Sequence, residues 1–187
     1  MPQHEHCCPW WLGYFLANPV RRWLHNPPAI LARYLTPGMT ALEPGPGMGF
    51  FTLEMARLVG PTGRVIAVDI QEKMLAALRR RAEKAGLADR IEARLAPPES
   101  LAVADLQGQV DFVLGFWTVH ELPDLARFFA EAAAALKPGG RLLAVEPRQH
   151  VTETEFADQM KAAETAGFRV ESRPEIHWSY AATFVKQ

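Results

Sequence analysis

Residues 39–49 read Met-Thr-Ala-Leu-Glu-Pro-Gly-Pro-Gly-Met-Gly, a short apolar run that passes directly into a turn with three glycines. A strand that ends in glycines is typical of a ligand-binding edge, because glycine turns tightly and lets the backbone approach a bound molecule. Apolar residues at helical spacing follow between Phe50 and Val59. The stretch therefore predicts a strand, a ligand-binding loop and a helix in succession.

A carboxylate follows at the end of the next apolar run. Residues 64–69 read Arg-Val-Ile-Ala-Val-Asp, which is typical of a strand buried on both faces. Asp69 ends this run, 20 residues after Gly49, where an acid accepts hydrogen bonds from both hydroxyls of a ribose. The strand, the loop, the helix and the acid follow one another in the order and at the spacing of a nucleoside-binding unit. This favours a nucleoside site over a turn that only connects two elements.

The rest of the chain continues to alternate between strands and helices. The predicted strands are 39–43, 64–69, 90–95, 110–115, 141–146, one that starts at 168–170, and 180–185, and the predicted helices are 29–35, 50–59, 71–85, 124–136 and 153–166. This alternation predicts an α/β fold, a Rossmann-like three-layer sandwich with a mostly parallel sheet. The last two strands have no helix between them, which favours an antiparallel C-terminal hairpin.

The first 36 residues differ in composition from the rest, since they contain three of the five tryptophans. We interpret residues 1–36 as a helical, aromatic cap on a domain that spans 37–187, and we favour a lid over the pocket. Contact of this segment with a membrane interface is a weaker alternative. A metal or metalloid cluster is another, because soft thiolates and imidazoles are suitable ligands. Its candidate ligands are His4, His6, Cys7 and Cys8, whose spacing matches no standard zinc pattern, so no metal site is predicted.

Charge and composition narrow the possible partners and the location. The net charge of −1 gives no basic footprint for the whole domain, so no nucleic-acid partner is expected. Two adjacent cysteines cannot build a secreted disulfide scaffold, which indicates a reducing, cytoplasmic location. Stable membrane insertion is not expected either, because no apolar run is long enough to span a bilayer.

Three motifs together identify a family. Residues 43–49 resemble the first motif of the class I S-adenosylmethionine-dependent methyltransferases, residues 65–69 resemble their second motif, and residues 136–142 resemble their turn into the fifth strand. The resemblance covers roughly residues 28–187 and is to the small ubiquinone/menaquinone-methyltransferase-like type. It implies a seven-stranded sheet with an antiparallel last strand, S-adenosyl-L-methionine as methyl donor and S-adenosyl-L-homocysteine as product. It also implies in-line methyl transfer to a small-molecule acceptor, of apolar or quinone-like kind.

The resemblance also implies a set of cofactor-binding residues. Glu43 and the loop backbone at Gly45, Gly47 and Gly49 are expected near the methionine end, and Asp69 at the ribose. The remaining positions are Ile70 and Met74 beside adenine, Ala96 through its backbone, the carbonyls of Gly115 and Phe116 at the ammonium, and the Trp117 ring beside the sulfonium. Many relatives have an acid at the position of Ala96, and Glu99 is a less certain substitute for it.

His120 and Glu121 form the best ionisable pair for catalysis. Histidine titrates near neutral pH and takes protons from oxygen, nitrogen or sulfur nucleophiles. A base is optional, since the sulfonium is already a strong electrophile and needs mainly alignment. The alternatives are that His120 only braces its loop or caps the next helix and that Trp117 only fills the core. Glu146, at the end of the fifth strand, is either a solvated or ion-paired carboxylate or a catalytic one.

Two other functions remain open at this point. A binding module that has lost its chemistry would carry the same cofactor motif, so only turnover separates it from an enzyme. A nicotinamide-dependent oxidoreductase is less favoured, because Phe50 stands where the dinucleotide fingerprint has its third glycine. The chain is also short for a second, substrate-binding region.

Overall fold

The computed structural model describes residues 25–187, which form one sheet covered by helices on both faces. The helices are α1 (Pro27–Leu31), α2 (Thr52–Leu58), α3 (Glu72–Lys84), α4 (Leu125–Ala135) and α5 (Glu153–Thr165). The strands are β1 (Thr40–Pro44), β2 (Arg64–Asp69), β3 (Ile91–Leu95), β4 (Val110–Phe116), β5 (Leu136–Pro147), β6 (Phe168–Ser172) and β7 (Ser179–Lys186). Short 3₁₀ helices lie at Ala88–Arg90, Ala104–Leu106 and Val119–Glu121.

The sheet has seven strands in the order β3-β2-β1-β4-β5-β7-β6. The pairs β1–β2, β2–β3, β1–β4 and β4–β5 are parallel, whereas β7 is antiparallel to both β5 and β6. The predicted Rossmann-like sandwich with a C-terminal antiparallel hairpin is thus confirmed. The strand order reverses between β1 and β4, and ligands of open α/β sheets bind beyond the carboxyl ends of the strands at such a point.

Alternating side chains of the central strands pack into two hydrophobic clusters, one on each face of the sheet. In β5, Leu142 and Ala144 join the cluster under α4 and α5, whereas Leu143 and Val145 join the cluster under α1 and α2. All four side chains are at most 1% exposed, as expected for a strand covered on both faces. The rigid sheet therefore holds its strand ends, and the loops that follow them, at fixed positions.

Two elements have bounds that differ from the prediction by more than two residues. α1 ends at Leu31 instead of residue 35, because the chain turns at 32–34 and brings the Tyr34 ring into a stack with Phe112 at 5.2 Å. β5 begins at Leu136 instead of residue 141. Leu136 pairs with Val110 and Arg141 with Phe112, so the residues between them form a bulge.

The described part of the predicted cap, residues 25–36, shares a core with the sheet. Leu31, Tyr34 and Leu35 belong to the same cluster as β4 and β5. The Tyr34 hydroxyl and the Thr183 hydroxyl of β7 also form a buried hydrogen bond of 2.9 Å. The other residues of the cap, including the histidines and cysteines considered as metal ligands, lie outside the described residues, and the cap boundary at residue 36 stays a prediction.

Residues 25–187 contain neither a membrane-spanning helix nor a cluster of metal-binding side chains. No helix within this range is both long and apolar enough to cross a bilayer. The same range contains no group of three or more His, Cys, Asp or Glu side chains arranged to hold a metal ion.

The Tyr34–Thr183 hydrogen bond gives a stability prediction. Tyr34→Phe leaves the fully buried Thr183 hydroxyl without this partner, so we expect the free energy of unfolding to fall by about 1–2 kcal/mol. Adding Thr183→Val should restore most of this loss, because removing both partners leaves no unsatisfied group. Urea unfolding of both single variants and the double variant measures the coupling, and strictly additive effects would contradict it.

Candidate active site

The glycine loop after β1 has a left-handed backbone at all three glycines. The φ angles are 64° at Gly45, 54° at Gly47 and 84° at Gly49, a region that favours glycine. A Cβ on Gly45 would lie 2.6 Å from the side chain of Thr118, and one on Gly49 would collide with Leu78. No described residue lies within 4 Å of a Cβ built on Gly47. The loop is therefore held at both ends and has room at its centre for a ligand.

Buried polar contacts hold the loop in place. Glu43, at the end of β1, is 3% exposed, and the Thr52 hydroxyl of α2 donates a 2.5 Å hydrogen bond to its Oε2. The Arg81 guanidinium of α3 donates to the carbonyl of Met48, which ties the loop to a second helix. The predicted cofactor residue Glu43 thus lies directly under the loop, with its carboxylate oriented by Thr52.

Asp69 ends β2 beside the loop and is 9% exposed. Burial raises the pKa of its carboxyl to about 6, although the backbone N–H groups of Gln71, Gly47 and Ile70 partly offset this effect. One of these contacts is a 2.9 Å hydrogen bond from the Gln71 N–H to Oδ1. A buried carboxylate with a raised pKa gains from additional donors, and the hydroxyls of a ribose are such donors.

The residues predicted at adenine lie next to Asp69 in three different settings. Ile70 is 41% exposed, a large apolar side chain left open at the strand end. Met74 is buried in a small cluster with Met48 and Ala77, which places it behind the loop. Ala96 is buried, and its N–H already donates to the Asp69 carbonyl at 3.0 Å. The contacts of all three with adenine stay predictions.

The residues at the end of β4 lie beside the glycine loop, and the Phe116 ring also contacts the ring of His25. Gly115 is buried in the strand, and the Phe116 carbonyl accepts a hydrogen bond from the Thr118 hydroxyl at 3.2 Å. The Phe116 ring is 4.2 Å from the ring of Phe51, so this side chain fills the core. The predicted role of both carbonyls at the ammonium stays a prediction.

Trp117 has a strained backbone, with φ at 58° in a residue that carries a Cβ. Its N–H donates to the Val145 carbonyl at 2.7 Å, and its indole N–H donates to the Ser179 hydroxyl at 3.1 Å. The buried His25 ring packs edge-on against the Trp117 ring at 4.9 Å. Such strain costs on the order of 1–3 kcal/mol and collects at ligand-binding sites. The predicted aromatic wall beside the sulfonium is one function that would explain it.

His120 and Glu146 form a close pair across the ends of β4 and β5. The Nδ1–H of His120 donates to Oε2 of Glu146 at 2.5 Å, and Glu146 is completely buried. This bond leaves Nε2 of the half-buried imidazole as the nitrogen that can exchange a proton. The sequence had left open whether Glu146 is solvated, and the structure shows that it is not.

The charges of this pair and of the carboxylates around it shift one another's pKa values. Burial lowers the pKa of His120, but the hydrogen bond and charge of Glu146, with smaller contributions from Glu121 and Glu155, raise it above its ordinary value. The pKa of Glu146 is raised by burial, although His120 opposes this. Desolvation raises the pKa of Glu121, and the charge of His120 opposes this increase. The charges of Asp69 and Glu146 add smaller increases. The negative charges of Asp69, Glu121 and Glu146 therefore share one region.

Some residues of the site could not be identified from the sequence alone. Thr52 and Thr118 are ordinary hydroxyl residues until the fold places one on Glu43 and the other on Gly45. The exposed His150 ring stacks with the His120 ring at 6.1 Å, which required the β5–α5 loop to turn back over the site. Among the described residues, His120 contacts Glu146 and forms no ion pair with Glu121, and the catalytic role of His120 and Glu121 stays a prediction.

Comparisons with known proteins agree with this arrangement. A family model of a methyltransferase domain matches residues 35–180. Arsenite methyltransferase of Halobacterium salinarum is 37% identical over 117 residues, which cover 63% of this chain and 29% of that protein. A ubiquinone/menaquinone biosynthesis C-methyltransferase of Klebsiella pneumoniae is 33% identical over 116 residues, 62% of this chain and 45% of that protein. The chain thus matches less than half the length of either relative.

A solved structure extends the likeness over nearly the whole chain. The S-adenosylmethionine-dependent methyltransferase from Aquifex aeolicus has a TM-score of 0.86 and 25% sequence identity, over 97% of this chain and 100% of that one. The glycine loop and the acid at the end of β2 lie within the residues that the family model matches. The chain belongs to the class I S-adenosylmethionine-dependent methyltransferase family.

Proposed function

We propose that this chain transfers a methyl group from S-adenosylmethionine to a small-molecule acceptor and that His120 takes the acceptor's proton. The His120–Glu146 pair carries the proposal, because a buried acid that orients a histidine beside a nucleoside site is an arrangement suited to general base catalysis. The printed names of the two relatives, arsenite and ubiquinone/menaquinone methyltransferases, support a small acceptor. The cytoplasmic location and the absence of a nucleic-acid partner stay predictions.

The residues of the glycine loop fit the cofactor on two physical grounds. The left-handed turn leaves room at Gly47 for close approach of a ligand to the backbone. The buried Asp69 carboxylate has few donors for its charge, and ribose hydroxyls would supply them. S-adenosylmethionine, when bound, contributes a methyl group attached to a positively charged sulfur. The negative region formed by Asp69, Glu121 and Glu146 favours a cation at this edge.

The His120–Glu146 pair determines how the proton leaves the acceptor. Glu146 accepts the Nδ1–H, which fixes the ring orientation and leaves the Nε2 lone pair for the acceptor's hydroxyl, amine or thiol proton. When Nε2 takes that proton, the imidazolium is stabilised by the adjacent carboxylate. Glu146 acts through His120 and is therefore a positioning residue.

Turnover distinguishes an enzyme from a binding module that has lost its chemistry. The experiment measures methyl transfer from S-adenosylmethionine to a panel of hydroxyl, amine and thiol acceptors, after calorimetric titration with the cofactor and with S-adenosylhomocysteine. Binding with turnover supports the proposal. Binding without turnover on any acceptor contradicts it, and failure of the folded protein to bind either compound removes the cofactor assignment itself.

Asp69 gives a prediction about affinity. Asp69→Asn should weaken S-adenosylhomocysteine binding by tenfold or more, about 1.4 kcal/mol, because the ribose hydroxyls lose their charged acceptor. The exposed Asp89→Asn is the matched control and should bind like the wild type. Calorimetry measures both variants, and equal loss in the two would show that the effect is not local.

The raised pKa of Asp69 adds a pH dependence to this affinity. Ribose hydroxyls stabilise the charged carboxylate. The pKa of Asp69, about 6 in the protein without cofactor, should therefore fall when the cofactor is bound. Affinity should then be constant above pH 6 and weaken as the pH falls below it. Asp69→Asn should lack this component, and a wild-type affinity that is flat from pH 7 to pH 5 would contradict the expectation.

The His120–Glu146 pair gives a prediction about the pH profile of turnover. Activity should rise with pH, because His120 must be neutral to act, and the midpoint should lie above 6.5 because the pKa of His120 is raised. Glu146→Gln should move the midpoint to lower pH, and His120→Asn should lower turnover by roughly a hundredfold or more. Glu164→Gln, on the exposed side of α5, is the matched control and should leave the pH profile unchanged. An unchanged midpoint in Glu146→Gln would contradict the positioning role.

A further inference from the structure

A groove of about 700 Å³ lies between α5 and the connection from β6 to β7. Its size is in the range of small-molecule sites in proteins. None of its lining residues belongs to the cofactor loop or to the His120–Glu146 pair. The side chains that matter for its chemistry are Arg148, Phe156, Met160, Arg173, Trp178 and Tyr180.

The groove adjoins Glu146, the residue that orients the proposed base. Tyr180 of β7 is the direct cross-strand partner of Glu146 in β5, and directly opposed residues project to the same face of the sheet. The Phe156 ring of α5 stacks on the Tyr180 ring at 5.6 Å with an angle of 20° between the planes. The Tyr180 ring, partly exposed over the buried Phe156 ring, therefore forms an aromatic surface next to the residue that orients His120.

Arginines in the groove have unused donors. Arg148 donates from Nε to the Ser179 carbonyl at 3.2 Å, and its guanidinium lies 4.8 Å from the centre of the Tyr180 ring. Among the described residues, neither Arg148 nor Arg173 forms an ion pair, whereas Arg94 and Arg141 do. The remaining N–H groups of the Arg148 fork match the geometry of a carboxylate or another planar anion.

Acidic side chains also line the groove, and they bear on the sign of its ligand. Glu153 lies in the first turn of α5, where the positive end of the helix stabilises its charge. Glu175 is exposed in the connection from β6 to β7. Arg148 is the charged group that lies over the aromatic surface, so an anion is favoured there, and a cationic probe tests the opposite case.

Trp178 provides a second aromatic element at the groove. Its side chain is 57% exposed, and its backbone is in the left-handed region with φ at 52°. The ring stacks on the His177 ring at 4.8 Å, and the Trp178 carbonyl accepts the N–H of Arg148 at 3.0 Å. Strained backbone is concentrated at ligand-binding sites, so the Trp178 ring is a candidate ligand contact at the groove.

We infer that this groove binds the methyl acceptor and selects a planar aromatic molecule that carries an anionic group. Trp178 and the Phe156–Tyr180 surface contact the ring, and Arg148 binds the anion. The inference rests on the proposed function, because it assigns the acceptor class to the site next to His120. Its test measures ligand binding alone, so its failure can be told apart from failure of methyl transfer.

In the experiment, four matched probes are titrated into the full chain in the presence of S-adenosylhomocysteine. Binding is detected by nuclear magnetic resonance, both of the ligand and of the indole N–H groups of the protein. Benzoate is planar and anionic, cyclohexanecarboxylate is anionic but not planar, benzamide is planar and neutral, and benzamidine is planar and cationic. Benzoate should bind with a Kd on the order of 1 mM, as expected for so small a molecule, and at least fivefold more tightly than the other three. It should also shift the indole resonance that Trp178→Gly removes.

Variants locate the probe in the groove. Arg148→Gln should weaken benzoate binding about tenfold, and Trp178→Gly should weaken it while leaving the backbone unstrained at φ 52°. Arg80→Gln, on the exposed face of α3, is the matched control and should change nothing.

Several results would overturn the inference. They are benzamidine binding more tightly than benzoate, cyclohexanecarboxylate binding equally well, no effect of Arg148→Gln, or no benzoate binding by protein that still binds S-adenosylhomocysteine. Loss of S-adenosylhomocysteine binding in the wild type would instead count against the proposed function, whatever benzoate does.

Discussion

The close approach of the glycine loop to the end of β4 is the constraint on which the site depends. Gly45 fits there only because it has no side chain, since a Cβ would lie 2.6 Å from Thr118. This contact lies where the strand order reverses between β1 and β4. It brings the nucleoside side of the sheet, which ends in Asp69, next to the loop that carries His120. The parallel pairing of β1 with β4 places both at one edge of the sheet, and the Gly45–Thr118 contact brings their loops together there.

Buried charge is the second property that organises the molecule. Asp69 and Glu146 are both largely removed from solvent, and burial raises the pKa of each carboxyl. A buried charge without a partner costs several kcal/mol, so each carboxylate needs donors. Among the described residues, the donors to Glu146 include the His120 side chain, whereas those to Asp69 are backbone N–H groups. That difference fits the proposed roles, in which Glu146 orients His120 and Asp69 receives a ligand.

The sequence predicts the parts of this structure that depend on local pattern. The strands around the glycine loop, the acid that ends β2 and the antiparallel hairpin follow from apolar periodicity and turn residues. The end of α1 and the start of β5 do not, because a stack on Phe112 and pairing with Val110 decide them. The His120–Glu146 contact joins residues 26 positions apart and depends on the register between β4 and β5. Both residues were visible as candidates, but only the fold shows which acid His120 uses.

The place of β7 in the sheet has a consequence for how the protein is made. The strand is inserted between β5 and β6, which precede it in the chain, and it pairs with both. His25 also donates to the carbonyl of His177, across 152 residues of sequence. During synthesis from the N-terminus, the ribosome must therefore release β7 before the sheet can close and before these N-terminal residues find their partners. Until β7 pairs with it, β5 presents an unpaired edge, and such edges can pair with strands of other chains.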